Sequence, residues 1–235
     1  METKMKVKVL AHTPEPERVC AAAARLCYNK MDIEELYENI TEEKIRKTLE
    51  QVIKSEHHST IEHASITFGI EGISRACTHQ LVRHRLASYS QQSQRYVNEK
   101  EFSFIIPPSI AGNEEKKKKF LESMESVQKI YSEMRESGVL NEDARFLLPN
   151  ATETKIVVTM NFRELWNFFE LRTCTRAQWE IRVLANKMLE ESKKIAPIVF
   201  SMAGAKCKTR GYCPEGKNNC GIWKTIPGCV LRGNL

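Results

Sequence analysis

Residues 65–82 read SITFGIEGISRACTHQLV, and the two halves of that stretch follow different periods. In the first half Ile66, Phe68 and Ile70 face one way and Ser65, Thr67 and Glu71 the other, the alternation of a half-buried strand. In the second half Ser74 offers a capping hydroxyl to a short helix that carries Cys77, Leu81 and Val82. A strand feeding straight into a helix sets the theme for the whole chain. Upstream, Lys6 to Leu10 reads as a short strand and Thr13-Pro14 as the start of a helix running to about Tyr28. Thr41, followed by Glu42 and Glu43, caps a helix reaching about Ser55.

Downstream, Ser88 to Val97 is polar and extended, and Phe102 to Ile106 is a short apolar strand closed by Pro107-Pro108. Asn113 opens the longest helix, to about Ser137, with Phe120, Met124, Val127, Tyr131 and Met134 as its apolar stripe. A short helix from Glu142 to Leu147 stops before Pro149, and Ile156, Val158 and Met160 mark another alternating strand. Helices follow from Phe162 to Leu171 and from about Thr175 to Ile195. Without repeats or a regular βαβ rhythm, this predicts one α+β domain over residues 1–202: a small mixed or antiparallel sheet flanked by long helices. Residues 203–235, rich in Gly, Cys, Lys and Asn, form a C-terminal extension and not a second domain.

The chain has 235 residues, 41% of them hydrophobic, enough for a sizeable core. Its apolar stretches fall short of the roughly 20 residues a membrane span needs, and Met1-Glu2-Thr3-Lys4 leads into no apolar leader region. A cytoplasmic protein with no membrane partner is the expectation. The formal charge of +6 suits an anionic ligand, although Lys116 to Lys119 could supply most of the excess from a solvated helix face. Of eight cysteines, Cys20, Cys27, Cys77 and Cys174 sit in helix-like contexts, and Cys207, Cys213, Cys220 and Cys229 crowd the extension. The extension lacks the close Cys-x2-Cys pairs of a strong zinc motif, so it is read as free thiols, with structural zinc as the alternative.

Chemistry concentrates in residues 80–96, QLVRHRLASYSQQSQRY. Arg83, His84 and Arg85 are consecutive and would fan out by about 100° on a helix, which suits a helix end facing a large, multiply charged ligand. Gln91, Ser93 and Arg95 are two apart and would share one face of an extended segment, a donor array fit for phosphate. The residues alone equally describe a basic loop with a polar edge strand.

Arg83-His84-Arg85, seven residues, then Ser93 resembles the signature of the flavin-dependent thymidylate synthases, and Gln80, Gln91 and Arg95 fit its flanks. The resemblance extends over roughly residues 5–200. It includes the histidine-rich turn His57 to His63, the Asp143 to Pro149 segment around Arg145, and the Asn161 to Arg172 helix. In that helix Arg163 and Asn167 are four apart and share a face. Two positions depart from relatives: Ser59 stands where many have threonine and keeps the hydroxyl, and Gln91 stands where some have glutamate and cannot act as a base.

The resemblance implies reductive methylation of dUMP to dTMP. Methylenetetrahydrofolate would supply the carbon, and FAD reduced by NADPH the hydride, with tetrahydrofolate released. It implies dUMP binding by Gln80, Arg83, Gln91, Ser93, Gln94, Arg95, Arg145 and Arg172. FAD binding falls to Ser59, Arg83, His84, Arg85, Gln91, Asn161, Arg163 and Asn167, with His57 near flavin and folate. Arg172 would stabilise the ionised uracil and Ser93 would serve phosphate binding and substrate activation. Active sites would lie between subunits of a homotetramer.

The chain has no Pro-Cys-His element for a thiolate route, and Cys174 is read as packing. His58-x-x-x-Glu62-His63 is one residue too long for the inverted zinc-protease motif, so no catalytic metal is expected. The arginine block lacks the interleaved aromatics of single-strand binders, so nucleic acid is not the expected partner.

Overall fold

A computed structural model of the chain describes residues 3–231. In chain order the elements are β1 (Lys6–His12), α1 (Pro16–Leu26), α2 (Ile33–Asn39), α3 (Glu42–Lys54), β2 (Ser65–Ser74), α4 (Arg75–Leu81), β3 (Ala87–Gln91), α5 (Pro108–Ala111) and α6 (Glu114–Glu136). There follow α7 (Asn141–Ala144), β4 (Glu153–Asn161), α8 (Phe162–Arg172), α9 (Trp179–Ile195), α10 (Pro197–Phe200), α11 (Lys206–Thr209), β5 (Tyr212–Cys213) and β6 (Val230–Leu231). Strand order in the main sheet is β1-β2-β4-β3, and β5 and β6 make a separate parallel pair. The α+β class read from the sequence is the class observed.

The described residues gather into two compact units. The first comprises residues 3–6, 69–83 and 89–157. Its core is Phe102, Phe104, Ile106 and Met124, with Phe120, Leu121 and Val127 of α6 packed against it. Phe102 to Ile106 is not the strand its apolar run predicts. It makes one antiparallel bridge, Phe104 to Thr152, and its buried side chains turn toward α6. Asn113 caps α6 through Lys116 N–H at 2.9 Å, as its position predicts. The lysine run is a solvated face: Lys119 pairs with Glu115 at 2.6 Å and Lys118 with Glu122 at 3.9 Å, all well exposed. Gly72 has φ of +70°, and a Cβ there would stand 2.2 Å from the Lys4 carbonyl oxygen, so the N-terminal segment can pass only because the side chain is missing.

The second unit comprises residues 7–68, 84–88 and 158–231. Ile66 and Phe68 of β2 and Val158 and Met160 of β4 are buried, as the alternation predicts. Phe162 and Phe169 of α8 each meet Phe200 of α10, at 4.9 and 5.8 Å between ring centres. Glu17 of α1 accepts the Ile198 and Val199 N–H groups at 2.6 and 2.9 Å, closing the open end of α10. Burial is the main influence on that carboxyl and raises its pKa, against the two backbone bonds.

Two helix starts differ from expectation. Thr13 does not cap α1: its hydroxyl accepts the Ser65 N–H at 3.0 Å and its own N–H donates to the Ser65 carbonyl, keeping it extended. The helix begins at Pro16 after Glu15 turns left-handed at φ 40°. Helix α9 starts at Trp179 and not near Thr175, because the Gln178 side chain accepts from Glu180 and Ile181 N–H. α2, α5 and α10 went unread in the sequence, being four to seven residues long with little period to detect.

Candidate active site

Seven of the expected ligand-binding residues lie in the first unit: Gln80, Arg83, Gln91, Ser93, Gln94, Arg95 and Arg145. Ser74 caps α4 by accepting the Cys77 N–H at 3.0 Å, and this sends the helix toward the arginine triplet. Gln91 ends β3 with its amide donating to Thr78 and Thr154 hydroxyls at 3.1 and 3.2 Å. After Gln91 the extended reading fails. The Tyr96 and Val97 N–H groups both return to the Ser93 carbonyl, so Ser93 to Val97 is a turn and the three residues do not share a strand face. Ser93 Oγ accepts the Arg95 N–H at 3.2 Å, and the Arg95 fork reaches Glu142 Oε2 at 3.0 and 2.8 Å. Arg145 Nε donates to the Glu142 carbonyl at 3.0 Å, so two arginines 50 positions apart meet at one acidic residue.

Arg75 lies close enough to Arg145 to feel its charge. Burial first, then the like charge of Arg145, lowers the pKa of Arg75, and Glu99 offsets part of this. The Gln94 amide nitrogen is enclosed without a hydrogen-bond partner. Crowded guanidinium groups and an orphaned donor together call for an anion with several acceptor oxygens. Gln80 and Arg83 make no side-chain bond to this set among the described residues; Arg83 is exposed.

The other expected residues, Ser59, His84, Arg85, Asn161, Arg163, Asn167 and Arg172, lie in the second unit. The triplet does not lie on a helix: α4 ends at Leu81, and the chain then turns. His84 is buried while Arg83 and Arg85 are exposed, so the three do part in direction. Nδ1 of His84 lies 3.0 Å from Glu164 Oε1, and Arg172 Nε donates to His84 Nε2 at 3.1 Å. Asn161 caps α8 through the Glu164 N–H at 2.8 Å. Arg163 and Asn167 lie on the exposed face of α8, as their spacing predicts. Arg163 pairs with Glu62 of the 3₁₀ turn His58–His63, and His58 stacks 5.2 Å from Trp166, fixing that turn to α8. Ser59 and His57 line a cavity of about 540 Å³ together with Arg25, Gln51 and Thr60. Asn161, Arg163 and Asn167 are not among the residues that line it.

A second cavity, of about 410 Å³, is lined by Arg172, Arg176, Cys174, Cys207, Cys213 and Cys220. Cys207 has its pKa raised by burial first and then by Cys229, Cys213, Cys174 and Cys220. Cys220 has its pKa lowered, chiefly by a hydrogen bond with Thr175. All eight cysteines are free thiols, and among the described residues no three metal-ligating side chains form a ready metal site.

A family model described as thymidylate synthase complementing protein matches residues 8–198. The chain is 50% identical over 233 residues to a flavin-dependent thymidylate synthase of Clostridium tetani, covering 92% of this chain and 93% of that one. Against that of Geobacter sulfurreducens it is 52% identical over 219 residues, covering 92% and 94%. This chain belongs to the flavin-dependent thymidylate synthase family. A third member, from Pyrococcus abyssi, is 47% identical over 236 residues, covering 97% of this chain and 94% of its own. The fold is also that of a UMP/dUMP methylase, PolB, from Streptomyces cacaoi, solved bound with 5-Br dUMP. That comparison has a TM-score of 0.76 at 22% identity and covers 85% of this chain and 94% of the other. Within this flavin-dependent thymidylate synthase fold, three polar residues escaped the sequence reading: Arg75, Glu142 and Glu164. Arg75 had a signal, lying in the same short run as the triplet; the two glutamates are recognisable only by what they touch.

Proposed function

We infer that this chain catalyses the reductive methylation of dUMP to dTMP. Methylenetetrahydrofolate and NADPH are consumed, and tetrahydrofolate and NADP⁺ are released. The observation that carries the reading is the meeting of Arg95 and Arg145 at Glu142, with the Ser93 hydroxyl in the same turn. An exposed carboxylate held by a guanidinium fork occupies a place that a phosphate can take over. Ser93, Gln94, Arg95 and Arg145 bind the nucleotide phosphate and sugar, with Gln80, Arg83 and Gln91 completing the dUMP set. Ser59, Arg83, His84, Arg85, Gln91, Asn161, Arg163 and Asn167 hold FAD, which when bound supplies the hydride that completes the methyl group. His57 lies toward flavin and folate.

The chemical demand is a nucleophilic C5 on uracil. Arg172 meets it with a positioned positive charge that stabilises negative charge on the pyrimidine ring, and Ser93 assists by fixing the substrate. No thiolate addition is needed, and Cys174 packs at the end of α8. The active enzyme is a homotetramer with sites between subunits, working in the cytoplasm. Residues 1–202 carry the catalysis and 203–235 are an extension.

The test is release of label from C5-deuterated dUMP. FAD-dependent release with methylenetetrahydrofolate present is the expected result. Release independent of FAD, or none from a yellow preparation with all substrates, would overturn the reaction class.

A further inference from the structure

Helix α8 places Glu164, Phe168 and Arg172 at intervals of four, one above another on a single face with a drift of about 40° per step. His84 lies against all three. Its Nδ1 is 3.0 Å from Glu164 Oε1, its ring meets Phe168 edge-on at 4.9 Å, and its Nε2 accepts from Arg172 Nε at 3.1 Å. A guanidinium has donors only, so His84 Nε2 must present its lone pair. The ring proton therefore resides on Nδ1 and donates to Glu164. Both His84 and Glu164 are enclosed, at 4% and 5% side-chain exposure, so water is not at hand to replace either bond. Glu164 is itself held: the Asn167 amide donates to its Oε2 at 3.4 Å, and its N–H is capped by Asn161. Arg172 spends Nε on this chain, and among the described residues its Nη1 and Nη2 edge makes no other bond.

We propose that Glu164 is a positioning residue, which fixes the His84 tautomer so that the ring holds Arg172 by Nε and leaves the two-donor edge of its guanidinium for the pyrimidine. The idea rests on the reading above that Arg172 serves the substrate ring. If Glu164 offers no acceptor, nothing favours the Nδ1–H tautomer. The alternative tautomer turns an N–H toward Arg172, donor against donor, and the guanidinium swings away. A displacement of about 1 Å at such a group costs on the order of 100-fold in rate.

The test compares Glu164→Gln, Glu164→Leu, Arg172→Lys and the double variant Glu164→Leu/Arg172→Lys, all loaded with FAD. Gln keeps an oxygen for Nδ1–H and should retain kcat/KM for dUMP within about threefold, whereas Leu should lose about 10- to 100-fold per FAD-loaded site, with rates normalised to bound flavin. The double variant should be no worse than Arg172→Lys, because both changes act through one guanidinium. Full activity of Glu164→Leu beside an inactive Arg172→Lys overturns the positioning role alone. Near-normal turnover of Arg172→Lys overturns the role of Arg172 and this proposal with it. Losses that multiply in the double variant also overturn it. Because Glu164→Leu can simply fail to fold, ¹⁵N spectra of the unmodified enzyme give an independent reading: His84 should show Nδ1–H, and an Nε2–H tautomer would sink the idea.

Discussion

Arg95 and Arg172 are both expected to touch the same nucleotide, yet their settings are opposites. Arg95 is half exposed and leans on Glu142, itself 42% exposed, in a turn that water reaches from outside. Arg172 leans on a histidine and, through it, on a carboxylate that are both almost fully enclosed. An exposed ion pair is weak and exchangeable; a buried chain of satisfied hydrogen bonds is rigid and costly to break. The contrast teaches a division of labour. Under the proposed function, phosphate would meet an exposed charge that can trade one anion for another, and the pyrimidine ring a guanidinium anchored to an enclosed histidine.

If that division holds, the largest effect comes from Arg172→Lys. A point charge without a planar fork cannot keep both the His84 bond and a two-donor edge, and turnover should fall by about 100-fold or more in a steady-state assay. Next comes Arg210→Met in the extension. Arg210 donates to Glu170 at 2.8 Å through both Nε and Nη2, and Thr209 adds a third bond at 2.7 Å to a carboxylate only 2% exposed. Removing the arginine strands that carboxylate. Destabilisation of about 2–3 kcal/mol in urea titration is expected, less than for a fully dry pair because Arg210 is about a third exposed. Arg95→Lys should be milder: a rise of about three- to tenfold in KM for dUMP with kcat kept, since lysine still neutralises phosphate. A loss as large as that of Arg172→Lys would erase the contrast between the two arginines.

The smallest effect concerns pH. Burial lowers the His58 pKa below its ordinary value of 6.5, against the charges of Glu56 and Glu170. The folded state therefore favours the neutral ring, and the unfolded chain takes up the proton first as pH falls. Stability is intact above about pH 6.5 and declines below it until the folded-state value is passed. His58→Gln should flatten part of that decline when melting temperatures at pH 7.5 and 5 are compared. A steeper decline would refute the assignment.

Local rules explain what could be read in advance. Ser65 to Glu71, Ile156 to Met160, and the caps at Thr41, Ser74 and Asn113 each depend on neighbours a few residues away, and all appear where expected. Thr13 departs from the predicted cap because its partner, Ser65, lies 52 positions on, and Phe102 to Ile106 departs from the predicted strand because its apolar side chains pack in a local core with one bridge and no ladder. The site divides in the same way. Charged residues inside the arginine block announce themselves, whereas Glu142 and Glu164 look like ordinary surface acids until Arg95 is found on the one and His84 on the other. Charge in a sequence marks candidate groups for a ligand; only the fold shows which groups hold them still.

The two faces of α8 carry a consequence for how this chain can vary. Arg163 and Asn167 look outward while Glu164, Phe168 and Arg172 grip His84, all within eleven residues. Adding or deleting a single residue between Glu164 and Arg172 would rotate everything beyond it by about 100°, and one face or the other would lose its register. Length changes should therefore be absent from this helix in working variants and collect in the turn that follows Arg172, where no such phase has to be kept.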